Sequence, residues 1–138
     1  MKKLYTAALS YMVLGLAAGL FVRIYVDQIK HFEGETMLSL LHFHLLVLGM
    51  VMFLLVMVLE KSFGLSKTKW FNLFFWHYNG GLLLTAGMMA VHGVMQVNGV
   101  PDSAAVAGIA GLGHILLTVG LGLLFAAIKS QIAQQRTT

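Results

Sequence analysis

The sequence contains no cysteine. That excludes disulfides, thiolate-bound metal, thiol catalysis and any cofactor attached through a Cys-x-x-Cys-His motif. Proline occurs once, at Pro101. Only five residues are acidic, and none lies deep within an apolar stretch: Glu60 stands at the edge of one, while Asp27, Glu33, Glu35 and Asp102 fall between them. Proton pumps ordinarily depend on intramembrane carboxylates, so proton-coupled transport is not expected. The sequence also offers no nucleophile–base arrangement, no phosphate loop, no low-complexity tract and no convincing repeat.

What the chain has in abundance is apolar length. Its 138 residues are 59% hydrophobic and 10% charged, with a mean hydropathy of +0.85. This is the composition of an integral membrane protein, and the length allows one domain. A hydrocarbon core about 30 Å thick needs about 20 helical residues. Four stretches qualify, at about 4–25, 37–59, 70–97 and 104–128. The expected fold is all-α, an integral membrane four-helix bundle spanning 1–138.

Short loops rich in Lys and Arg stay cytoplasmic. Lys2, Lys3, Lys61, Lys67, Lys69, Lys129 and Arg136 fall on one side of the spans, and only Arg23 and Lys30 on the other. This asymmetry predicts both termini in the cytoplasm. The pI of 9.6 then reflects topology and attraction to anionic lipid, and gives no reason to invoke nucleic acid. Lys2 and Lys3 could also open a signal peptide, but the apolar run behind them is span-length and no clear cleavage signal ends it. It is therefore read as the first helix. Gly34-Glu35-Thr36 should open the second helix, Gly64-Leu65-Ser66-Lys67 should separate the second from the third, and Asp102 or Ser103 should cap the fourth.

The six histidines are unevenly distributed. At about 1.5 Å of rise per residue, His42 and His44 lie about 9 and 12 Å below the outer end of the second span, His92 about 8 Å down the third and His114 about 16 Å down the fourth. Ionisable groups at such depth are rare, and four gathered at one level point to ligation, at two sites or at one site plus a subunit interface, more than to independent hydrogen bonders. Histidine is also the commonest metal ligand. Residues two apart on a helix diverge by about 200°, so His42 and His44 must serve different faces. By depth, His42 pairs with His92 and His44 with His114 as axial haem ligands. His31 belongs to the outer loop. His77, between Trp76 and Tyr78 near the inner boundary, fits an interfacial role.

Arg23 is expected to be buried near the outer end of the first helix, where it either snorkels to the headgroups or holds a haem propionate. Lys30 and His31 are weaker propionate candidates. Met88, His92 and Met95 share one helix face and suit Cu(I), which makes copper binding or transport the alternative. Methionine is also ordinary apolar filler. Gly15 and Gly19 form a small-xxx-small pair, and Gly108, Gly111 and Gly113 precede His114. They either pack helices closely or, at Gly111 and Gly113, clear room for a flat macrocycle. Asn79, Thr85 and Gln96 are most simply interhelical hydrogen bonders.

His42-Phe43-His44-Leu45-Leu46-Val47-Leu48-Gly49-Met50 resembles the His-Phe-His segment in the catalytic subunit of haem–copper oxidases. There the first histidine ligates the high-spin haem and the second the low-spin haem. The resemblance implies that His42 and His44 are haem ligands and does not extend to His92 or His114. The oxidase subunit arranges twelve helices as three four-helix arcs about a pseudo-threefold axis. This chain resembles one such arc, and a homotrimer would rebuild the frame with haem at each interface. The oxidase copper site, with its histidine–tyrosine segment and a histidine pair on the next helix, has no counterpart here, so complete oxygen reduction with proton pumping is not implied. The whole chain, including Tyr78-Asn79-Gly80-Gly81 and Gly111-Leu112-Gly113-His114, also looks like a small uncharacterised family of four-span bacterial membrane proteins, which implies a multi-pass protein of the cytoplasmic membrane.

These readings converge on a membrane protein with non-covalent haem b, used for electron transfer or diatomic gas binding. Its expected ligands are His44, His42, His114 and His92, with Arg23 near the propionates and the redox partner unidentified. A single axial ligand leaves a position for a gas, whereas two favour electron transfer. Copper binding, or a metal-free structural subunit assembled through its glycine faces, remain the alternatives.

Overall fold

A computed structural model describes residues 1–101 and 103–135. Four helices are long and apolar enough to cross a membrane: α1 (Lys2–Ile29), α2 (Leu38–Phe63), α3 (Lys69–Val97) and α4 (Ala104–Gln135). Each expected span is present. Several run longer than their apolar cores because backbone hydrogen bonding continues past the hydrocarbon boundary into polar residues such as Lys61 and Lys129. The short connections fit antiparallel neighbours, so the start of α1 and the end of α4 lie on one side of the bundle, called here the termini side.

Thr36 accepts a hydrogen bond from the Leu38 amide at 3.3 Å and donates to the Gly93 carbonyl at 3.1 Å, tying the start of α2 to the end of α3. Gly64 ends α2 at φ 65°, a left-handed position that favours glycine. A single 3₁₀ turn, Leu65–Lys67, then leads to α3, whose start is capped by Thr68 accepting from Phe71 N–H. At α4 the Ser103 hydroxyl accepts from the Ala105 amide at 3.3 Å. Asp102, the other cap candidate, and Arg136 lie outside the described residues.

Burial explains the order of packing. On α4 the buried residues are Gly113, Leu117, Gly120, Leu124, Ala127 and Gln131, one stripe at alternating spacings of four and three. A single stripe is the mark of a helix packed on one side, and α4 lies chiefly against α3. The near part of α1 likewise buries only Leu4, Ala8, Tyr11 and Gly15, chiefly against α2. The outward faces, including Leu16, Leu20, Phe21, Leu112, Ile115 and Phe125, are exposed apolar surface suited to lipid. Between them, α2 meets both α1 and α3. Glycine permits the closest approach: a Cβ on Gly81 would lie 2.7 Å from Leu117 N and 2.9 Å from the Gly113 carbonyl.

α2 departs from regular winding. Its buried residues run Leu38, Leu41, Leu45, Gly49, Phe53 and Val56, with three successive spacings of four. At 3.6 residues per turn that series would drift around the helix. The Leu45–Val51 segment is wound as π-helix, and its wider turn keeps the stripe facing the bundle. The far end of α1, Arg23–Ile29, is wound the same way.

Candidate functional site

Three helical stripes converge on one cavity of about 270 Å³ in the half of the bundle away from the termini. Met37, just before α2, and Leu40 and His44 on it form one side, α3 supplies Thr85, Met88, Met89 and His92, and α4 supplies Ala110 and His114. Each set follows spacings of three, four or seven, which places its members on one helix face. Met37 and Leu40 also border a second cavity of about 480 Å³, formed with Gly34, Glu35, Thr36, Ser39 and Gln96 at the far-side loop. Met37 and Leu40 thus line both cavities.

The His44 and His114 rings are held in orientation by backbone carbonyls. His44 Nδ1 lies 3.0 Å from the Leu40 carbonyl, and His114 Nδ1 lies 3.0 Å from the Ala110 carbonyl. A carbonyl only accepts, so in the neutral ring Nδ1 carries the proton and Nε2 keeps its lone pair. Metal-ligating histidines commonly donate their other ring nitrogen to such a partner. His77 makes the same bond to Leu73 at 2.8 Å, but at the termini end of α3. The tautomer alone therefore does not mark a site; convergence on the cavity distinguishes His44 and His114. His44 and His92 are half-buried, and His114 is exposed on the α4 surface.

His42 looks elsewhere, as its separation from His44 requires. Its ring lies against Gly19 of α1, where a Cβ would be 3.7 Å from His42 Cγ, and its Nδ1 is buried without a hydrogen-bond partner. The depth pairing of His42 with His92 is corrected: the cavity groups His92 with His44 and His114. Depth fixes height along the bundle, but the direction of a side chain depends on azimuth and on which helices are neighbours.

Arg23 is also corrected. It is exposed on the π-wound end of α1, where Val26 is the buried residue, so its guanidinium is free to reach headgroups rather than sitting in the interior. Lys30 is exposed and lies 5.8 Å from the Tyr25 ring centroid. His31 is exposed in the loop with φ 48°. In the methionine set, Met88 and His92 line the cavity and Met95 does not.

Among the polar residues of α3, Asn79 and Gln96 do bridge helices. Tyr11 donates to Asn79 Oδ1 at 2.9 Å, and the Met37 amide donates to Gln96 Oε1 at 2.9 Å. Thr85 differs: its side chain is buried and its hydroxyl has no partner. It packs against Gly113, next to His114, so Gly113 serves close packing. Gly108 and Gly111 have open space where a Cβ would be. Thr85 and Met89 were not singled out as site residues from sequence. Their signal was the face they share with Met88 and His92.

Among the described residues, no three His, Asp or Glu side chains come close enough to hold a metal ion. The donors suit haem iron, which takes one or two imidazoles rather than three. At about 270 Å³ the cavity falls below the usual range for an organic ligand, about 300–1,000 Å³. A macrocycle at His114 fits only by extending past the exposed α4 face, where Gly108 and Gly111 leave room. His44, His114 or His92 would hold its iron.

Fold and composition together define a multi-pass, all-helical membrane protein with histidines gathered near one side. The chain belongs to the DUF2871 family of proteins of unknown function, whose profile matches residues 1–131. It matches no curated protein and no solved structure.

Proposed function

We propose that this chain is a b-type haem protein of the bacterial cytoplasmic membrane, with both termini cytoplasmic, that transfers electrons or binds a diatomic gas. The observation that supports it is the convergence of His44, His92 and His114 from three helices on one cavity, with the first and last presenting Nε2 lone pairs. Haem would supply an iron centre that changes oxidation state or coordinates a gas. The protein's part is to fix the imidazoles, exclude water with Met88 and Met89, and admit small solutes past Met37 and Leu40. Because His114 and Gly111 are exposed, the outer edge of the macrocycle needs a cover. A neighbouring copy supplies one in a homotrimer resembling the oxidase frame, where His42 serves the second face.

Purified protein expressed with ample haem should show a Soret band that shifts on reduction, and His44→Ala should abolish it. Wild-type protein without a Soret band and without bound iron sinks the proposal. Carbon monoxide binding separates the two uses, because it requires an open coordination position. Met37, Met88 and Met89 around the same three histidines favour copper as the second reading. Bound copper without iron, lost in Met88→Leu, selects it.

A further inference from the structure

A third concavity, independent of the histidines, lies between α1 and α3 on the termini side, with a volume of about 670 Å³. Ala7, Leu14, Phe75, Trp76 and Leu83 make its walls mostly apolar, while Lys2 and Lys3 stand at its mouth. From Lys3 to Leu14 the groove climbs about 16 Å along α1. One leaflet of hydrocarbon is about 15 Å thick. The groove therefore runs from headgroup level to near the bilayer midplane.

Lys3 is held in position at this mouth. Its ammonium donates to Asn72 Oδ1 at 3.1 Å and sits 4.9 and 4.8 Å from the Phe71 and Phe75 ring centroids. No carboxylate is among the groove's lining residues. Inside, Tyr11 and Asn79 bond to each other, and Asn79 Nδ2 donates to the Phe75 carbonyl, so these polar groups demand no polar occupant. Two copies joined groove to groove about a twofold axis would bring like charges together at Lys2 and Lys3, which is unfavourable.

We infer that this groove binds one anionic phospholipid of the termini-side leaflet, its phosphate on Lys2 and Lys3 and one acyl chain along the groove between α1 and α3. A lysine near an anionic headgroup strengthens association by about fivefold, so the pair should give roughly a 25-fold preference over a zwitterionic lipid.

Native mass spectrometry of the whole protein in detergent, titrated with phosphatidylglycerol or phosphatidylcholine of identical chains, reads this directly. Wild-type protein should retain phosphatidylglycerol preferentially, and Lys2→Gln with Lys3→Gln should lower it to the phosphatidylcholine level. Ser10→Phe, at an exposed groove position, should reduce retention of both lipids while leaving the melting temperature unchanged. Equal retention of the two lipids by wild type, or a preference that survives loss of both lysines, overturns the inference. An oligomer that Ser10→Phe dissociates, with no lipid retained by wild type, assigns the groove to a second copy instead.

Discussion

On the termini side, Tyr11, Phe53, Phe74 and Tyr78 fill the space where α1, α2 and α3 meet, whereas on the far side His44, His92 and His114 border a cavity. In the first cluster the rings pack on one another and both tyrosine hydroxyls are hydrogen-bonded. Tyr11 stacks on Phe53 with ring centroids 5.7 Å apart, Tyr78 meets Phe53 edge-on at 5.7 Å, and Tyr78 donates to the Leu48 carbonyl at 2.9 Å. The second carries a buried threonine hydroxyl without a partner and a π-wound segment that begins directly after His44. π-Helical turns are rare and frequently accompany functional sites. Within lipid, helix association rests on van der Waals packing rather than on hydrophobic drive. The aromatic cluster therefore ties α1, α2 and α3 together, while the far-side cavity keeps the polar groups that binding requires.

That division can be broken most forcefully at Phe53. Its side chain is fully buried and touches Tyr11, Phe74, Phe75 and Tyr78. Phe53→Ala should destabilise the bundle by about 3 kcal/mol, measured by unfolding in detergent. A loss below about 1 kcal/mol would remove the aromatic cluster from its role. His44→Ala provides the contrast, since it should abolish the Soret band while the apoprotein's unfolding midpoint stays near wild type. A smaller effect belongs to Tyr78→Phe, which leaves the Leu48 carbonyl without its side-chain donor. That change should cost about 1 kcal/mol with no change in cofactor content.

The smallest effect should come from Thr85→Val, which replaces an unpartnered buried hydroxyl with a methyl of similar shape. Removing an unsatisfied polar group is nearly neutral or stabilising, so apoprotein stability should hold or rise by up to about 1 kcal/mol. A clear destabilisation would show that the Thr85 hydroxyl has a partner in solution, and would erase one difference between the two halves.

Much of the far-side arrangement was legible in the sequence because height along a transmembrane helix is a simple count. Counting from the span ends placed His42, His44, His92 and His114 near one side, and the helical period sent His42 and His44 in different directions. The same count paired His42 with His92, because it carries no information about which helices adjoin. It also placed Arg23 inside, since an arginine within an apolar run looks buried until the lipid-facing side of α1 is known. Thr85 matched the expected hydrogen bonder by type, but Gly113 leaves its hydroxyl without a partner.

Composition and hydropathy alone settled the four spans, the all-helical class and the exclusion of thiol chemistry, because a bilayer forces backbone polar groups into helices and helix length follows from membrane thickness. The grouping of His44 with His92 and His114, the ring of His42 against Gly19, and the lysine-mouthed groove between α1 and α3 came only from the tertiary structure. Each depends on the rotation of one helix relative to another. Close backbone contact at Gly81 holds α3 against α4, and the wider winding of Leu45–Val51 turns the faces of α2; neither can be read from the height of a residue in the membrane.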